Sequence, residues 1–305
     1  MTATDTETIV DRPLVGKTFQ HISWGRRAKN LLASVLVTAA FLLALIPLGW
    51  LMITVVTKGL SAILSSTWWT HSLKGVLPGD FGGGIYHALY GSLAQGLGAA
   101  VLAVPIGIFT AIYLVEYGRG KLAKTVTFMV DILSGVPSIV AALFIFALWI
   151  SVFGFPKSAL AVSFALVLLM LPIVIRSTEE MLRLVPDELR EASYALGIPK
   201  WKTIVKIVLP TALSGMITGI MLAMARVLGE TAPVLVLVGY SRAINFDVFE
   251  GNMASLPLTI YTELNNPTEA GEYRIWGAAL TLILVVMFFN LAATAISRFS
   301  AVKTK

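Results

Sequence analysis

Arg226 and Glu230 stand four residues apart in LAMARVLGETAP, residues 222–233, inside an apolar run long enough to cross a membrane. On a continuous helix that spacing puts both side chains on one face, about one turn apart. A charge near the bilayer centre costs at least about 2.5–3.5 kcal/mol, so it must face protein, water or a partner charge. Two chemistries fit. The pair could neutralise itself as an intrahelical ion pair that holds a bundle together, or the planar guanidinium could engage an oxyanion while Glu230 restrains it. Gly229, Thr231, Ala232 and Pro233 permit close helix approach and a local break beside the pair.

Other polar residues near apolar runs carry weaker signals. Ser138 follows Gly135 and Pro137, where a helix break would expose its hydroxyl to an anion or pack it against a neighbour. Asp131 is expected near a membrane edge, solvated. Arg176 closes an apolar run, where it could guide an anion out or snorkel to headgroups, and Gln95 could bond a neighbouring helix. There is no cysteine, which removes disulfides and thiolate chemistry, and His21, His71 and His87 are scattered without metal-ligand spacing. Neither Gly82-Gly83-Gly84 nor Gly16-Lys17-Thr18 completes a P-loop, so the chain is expected to bind no nucleotide, metal or other cofactor itself. The glycine triplet reads as a flexible turn.

These residues need a membrane scaffold. At 57% hydrophobic and 13% charged residues over 305 positions, with mean hydropathy +0.83, the chain is an all-α integral membrane protein. A span takes about 20 apolar residues. Charge-free runs at 31–56, 89–115, 132–155 and 275–296 meet that length, 158–175 is shorter but adequate, and 208–238 contains the charged pair. Six transmembrane helices are expected. The first run is too long for the core of a cleaved signal, so it should persist as a helix.

Between two of these spans lies EASYALGIPKWKTIVKIVLP, residues 191–210. Asp187, Glu188 and Glu191 place negative charge in a first helical turn, and Leu189, Ala192 and Leu196 recur on one face. Gly197 fits a helix C-terminal cap and Pro199 the start of a second helix running to Pro210. Two short amphipathic helices joined by a tight bend result. Read from pattern alone they could lie on the membrane surface, with Lys200, Lys202 and Lys206 near lipid phosphates.

Charge sets the orientation. If the N-terminus is cytoplasmic, most of the 23 Lys and Arg residues fall inside: Arg12 to Lys29, then Arg119 to Lys124, then Arg176 to Lys206, and Arg298, Lys303 and Lys305. Only Lys58, Lys74, Lys157, Arg242 and Arg274 fall outside. Both termini are therefore expected in the cytoplasm. This asymmetry and anionic lipid account for the net charge of +6 without nucleic acid. Of the two long external loops, 57–88 carries Trp68 and Trp69 as interfacial anchors. The other, 239–274, carries Asp247, Glu250, Glu263, Glu269 and Glu272, an acidic face that is either solvated or open to a soluble partner.

The spacing at Glu191, Ala192, Ser193, Gly197, Ile207, Leu209 and Pro210 resembles the EAA loop of ABC importer membrane subunits, with Ser193 in place of the usual Ala. The resemblance implies that the first helix of this loop docks cytoplasmically on an ATPase subunit and passes the ATP cycle to the membrane helices. It also implies a five-helix permease core at 84–298, preceded by a cytoplasmic segment at 1–30 and an extra helix and loop at 31–83, and followed by a tail at 299–305. The segment ARVLGETAP is similar to the ARA-x-GETAP motif of phosphate-specific ABC importer permeases, with Val227 where Ala is common. DILSGVPSIVAALF, PIVIRSTEEMLRLVPDELREASYALG and GGGIYHALYGSL agree with the PstA-type branch. That resemblance implies import of orthophosphate alongside a homologous PstC-type permease, two PstB-type ATPase subunits and a PstS-type phosphate-binding protein. ATP and Mg would sit on the partner ATPase. Arg226, Glu230, Thr231 and Ser138 are the candidate substrate-pathway residues, in the cytoplasmic membrane of a prokaryote.

Three functions compete on these observations. A permease for phosphate, or for another oxyanion, uses both the charged pair and the EAA loop. A membrane enzyme acting on a lipid phosphate would need a clustered nucleophile or base, and the three His are dispersed. A proton-coupled secondary transporter could use Glu230 but has no use for the loop.

Overall fold

The computed structural model describes residues 23–300. The expectations for residues 1–22, among them His21, the Gly16-Lys17-Thr18 reading and the charges Arg12 and Lys17, lie outside the described residues, as do Lys303 and Lys305. The chain divides into two compact units, Met1–Ile53 and Thr54–Lys305. In the first unit the described residues are almost wholly the N-terminal part of helix α1 (Trp24–Ile63), and the apolar side chains of that part, up to Ile53, are exposed, whereas Val55 and Ala62 beyond it are buried. An apolar helical stretch exposed all round has lipid as its natural solvent.

The second unit contains the rest of the secondary structure, all of it helical among the described residues: α2 (Ser66–Thr70), α3 (Tyr86–Ile112), α4 (Gly120–Gly135), α5 (Ser138–Ile145), α6 (Ala159–Arg183), α7 (Asp187–Ala195), α8 (Lys200–Thr203), α9 (Leu209–Leu228), α10 (Ala232–Leu237), α11 (Leu256–Glu263) and α12 (Glu269–Ser300). Five helices are long and apolar enough to cross a membrane. A sixth span forms if the pair 120–135 and 138–152, bent by 107°, crosses as one. The expected helix over 132–155 is thus corrected to two pieces. Pro137 cannot donate a hydrogen bond and biases Val136 to extended backbone, which is where the chain turns.

Helix α6 is the centre, with 67% of its most apolar stretch buried. Small residues let α3 approach it closely. A Cβ at Gly98 would lie 2.7 Å from Ser163 Oγ, and one at Gly107 2.6 Å from Val174 Cγ1. Ser163 Oγ donates to the Gln95 main-chain oxygen at 3.1 Å, so the helix contact expected of Gln95 runs through its backbone. Its side-chain Nε2 is buried with no hydrogen-bond partner among the described groups.

Several other expectations change at the end of the unit that carries α2 and α11. Trp68 is buried, and its Nε1 donates to Thr281 Oγ1 at 3.0 Å, so it packs in a core cluster and does not anchor at an interface. The Gly82-Gly83-Gly84 turn is packed at two of its three residues: Gly82 is open, but a Cβ on Gly83 would meet the Ser72 carbonyl oxygen at 2.8 Å and one on Gly84 would clash with the Thr67 and Trp68 carbonyl oxygens. Glu263 leaves the acidic outer face altogether. It is 1% exposed and pairs with buried Arg274 at 3.3 Å.

Candidate functional site

The charged pair sits at a second chain break. Helix α9 ends at Leu228, Gly229 caps it, and Thr231 precedes α10. Arg226 and Glu230 therefore do not share a continuous helical face. Arg226 Nε stands 3.9 Å from Glu230 Oε1, beyond hydrogen-bond length, with Arg226 63% exposed and Glu230 18%. The guanidinium is left with donors to offer to a ligand or a partner chain.

Arg226 also lines a cavity of about 290 Å³ at the first chain break, with Leu133, Ser134 and Val136 from the end of α4 and Leu169, Pro172, Ile173 and Arg176 from α6. Two guanidinium-bearing residues thus face one concavity. Arg176 lies inside α6 and does not snorkel at its end. Its Nη1 donates to Glu179 Oε2 at 2.9 Å and its Nη2 pairs with Asp131, while Arg183 Nη2 reaches Glu179 Oε1 at 2.7 Å. Asp131, read from sequence as simply solvated, is an ion-pair partner instead. Asp131, Glu179 and Arg183 line a further cavity of about 420 Å³ that also holds Lys124. The chain so offers cations in succession, Arg226, Arg176 and then Arg183 with Lys124, the middle one held by carboxylates. Planar guanidinium donors can engage oxyanions in pairs.

Ser138 begins α5 at the bend but is not among the residues lining that cavity. Ser134, one turn earlier, lines it and donates to the Val130 main-chain oxygen at 2.8 Å. Sequence reasoning missed Ser134 and gave Arg176 little weight. The missed signal was Ser134-Gly135 directly before Val136-Pro137, with Pro172 one turn from Arg176.

At the other candidate region, α7 ends in a Schellman motif. Gly197 has φ +75°, its N–H bonds the Tyr194 oxygen at 2.9 Å, and the Ile198 N–H bonds the Ser193 oxygen at 3.2 Å. Glu191 and Ala192 are exposed beside Leu189, Tyr194 and Leu196, and Leu196 is 78% exposed. Ser193 is buried, its hydroxyl 2.7 Å from that of Thr203, which ties α7 to α8. The second short helix does not stop at Pro210. Residues 200–228 form one continuous helical run through a wide π-helical turn at Ile204–Val208, after which Pro210 falls in the first turn of α9. The wider turn accommodates a proline that would otherwise block its helix. Leu209 and Pro210 therefore join α8 to a membrane span. Among the described residues, no three His, Asp or Glu side chains gather as metal ligands would.

The family model for the binding-protein-dependent transport system inner membrane component matches residues 103–304. The chain belongs to that family. It is 64% identical over 286 residues to the phosphate transport system permease protein PstA of Mycobacterium leprae, covering 94% of each chain. It is 62% identical over 296 residues to PstA 1 of Mycobacterium tuberculosis strain H37Rv, covering 97% of this chain and 96% of that one. Against PstA of Yersinia pestis the identity is 41% over 272 residues, 89% and 90% of the two chains. A bacterial alginate ABC transporter shares the fold with TM-score 0.62 at 13% identity, over 91% of this chain and 98% of that one. The inward-facing MetNI methionine ABC transporter does so with TM-score 0.55 at 20% identity, over 71% and 94%. The protein is thus a multi-pass membrane component of a transport system, not a catalytic subunit.

Proposed function

We propose that the chain is a membrane-spanning permease subunit of an ATP-driven inorganic phosphate importer in a prokaryotic inner membrane. The observation that carries this reading is the cavity lined by both Arg226 and Arg176 at a helix break, in a chain 64% identical to a phosphate permease. Orthophosphate carries several oxygens that planar guanidinium donors can engage in pairs. Glu230 limits how tightly Arg226 holds the anion, and Thr231 and Ser138, at the starts of α10 and α5, complete the polar pathway.

The exposed Arg226 faces a second, homologous PstC-type permease, because a charge left against lipid is costly. The α7 face bearing Glu191 and Ala192, with Ser193 and the Gly197 cap positioning it, docks on one of two PstB-type ATPase subunits, where ATP and Mg are held. Leu209 and Pro210 carry that motion into α9. Both termini lie in the cytoplasm, and a PstS-type phosphate-binding protein delivers substrate to the opposite side.

The test is uptake of labelled phosphate by the reconstituted four-component complex with Arg226→Lys. Uptake at the parental rate would show that the paired donors of the guanidinium are not used. Impaired uptake by an assembled complex supports the reading, since an ammonium keeps the charge but loses the planar geometry.

A further inference from the structure

Arg190 is an unusual surface residue for a docking helix, because its side chain turns inward and is 12% exposed. Its Nε pairs with Glu116 at 3.1 Å. Nη1 donates to the Val185 main-chain oxygen at 2.6 Å and to Asp187 at 3.1 Å, and Nη2 donates to the Leu182 main-chain oxygen at 2.8 Å. One guanidinium therefore holds α7, the C-terminal turn of α6, and Glu116. Glu116 has a side chain 5% exposed and lies in the π-helical turn Tyr113–Tyr117 that continues α3. From the other side of the Schellman bend, Lys200 at the start of α8 also reaches Glu116. Its ammonium bonds the main-chain oxygen, lies 3.8 Å from the carboxylate and sits 4.7 Å from the centre of the Tyr117 ring.

We propose that Arg190, which shares Glu116 with Lys200, is a positioning residue that makes α7 and α8 one rigid body with the ends of α3 and α6. The inference rests on the reading of α7 as the ATPase-docking helix. Short covalent links join α8 to α9 and, through 184–186, α7 to α6, whereas α3 reaches the docking helix along the chain only by way of α4, α5 and α6. Glu116 supplies a direct non-covalent link between them. Motion of α7 then pulls α3 and α6 together, the two helices packed through Gly98 and Gly107. A lysine at position 190 could reach one of these partners but not all, because it lacks the fork of fixed donors. A wide π turn that aims a buried carboxylate at the end of a membrane helix is a feature such turns often have at functional positions.

The experiment uses the full complex in proteoliposomes, with Glu188→Cys and Arg119→Cys spin-labelled in this cysteine-free chain. With Arg190 intact, the label-to-label distance should be equally narrow with and without ATP. Arg190→Met should broaden it and raise ATP hydrolysed per phosphate imported by about 2- to 30-fold, the range of coupling changes seen for residues outside ligand sites. Glu116→Gln should act in the same direction, and the double variant no more strongly than Arg190→Met, as members of one network do. If Arg190→Met does not assemble, Glu116→Gln carries the same two readouts. An assembled Arg190→Met or Glu116→Gln complex with the parental distance and the parental ATP ratio overturns the proposal, as does a double variant whose effect is the sum of the two. Should the unaltered complex import no phosphate, the substrate reading fails while the spin-label distance still decides the role of Arg190.

Discussion

Replacing Gly197 isolates backbone strain from packing. The residue has φ +75°, and a Cβ built there meets nothing within 4 Å, so any side chain fits in space but is strained in conformation. An L-residue in that left-handed region costs about 1–2 kcal/mol, more for a β-branched one. At 1.4 kcal/mol per factor of ten, Gly197→Val should depopulate the capped α7–α8 bend and weaken ATPase docking by about 5- to 30-fold. Gly197→Asn should cost least, since Asn tolerates the conformation. Gly75 is the control, because it has φ +77° and equally open surroundings in a loop far along the chain from α7. The assay is the dissociation constant of the labelled ATPase subunit for the purified permease pair. Gly75→Val should leave that constant unchanged. Parental affinity in Gly197→Val, or equal weakening by both valines, would refute the reasoning.

Three further outcomes follow from the geometry. The double variant Arg226→Met, Glu230→Gln should assemble but import no phosphate; parental uptake would make the pair purely structural, since removing both charges leaves no buried ion unpaired. Ser193→Ala should lose the hydroxyl contact to Thr203, worth about 1 kcal/mol, and weaken ATPase docking about fivefold, with no added loss when Thr203→Val is combined. Arg274→Met should leave the buried Glu263 carboxylate with only Arg242 at 3.7 Å and Asn266, and free the Leu77, Pro78 and Asp80 carbonyls, destabilising the complex by about 1–3 kcal/mol in denaturant unfolding; adding Glu263→Gln should recover part of that.

Much of this architecture was legible in the amino-acid order. Apolar runs locate most of the membrane helices because lipid demands long, uncharged segments, and Gly197 announces its cap because the left-handed conformation favours glycine. The bend at Val136-Pro137 was harder to read. Hydropathy is blind to direction, so a continuous apolar run conceals a 107° turn. The end of the second short helix, α8, was misplaced for the opposite reason. Pro210 reads as a stop unless the π turn before it is known. Arg176 was misjudged because its partner Asp131 lies 45 residues away. Glu263 was misjudged because the Arg274 that pairs with it, on the next helix, is itself held by the Leu77, Pro78 and Asp80 carbonyls from the other end of the chain.

On the proposed function, guanidinium groups of this chain pass phosphate across the membrane under ATP control. The most direct measurement is uptake of labelled phosphate into proteoliposomes containing the complete complex, with the binding protein on one side and ATP on the other. Accumulation should require ATP and be strongly reduced by Arg226→Lys in a complex that still assembles. Accumulation without ATP, or parental accumulation with Arg226→Lys, would contradict it.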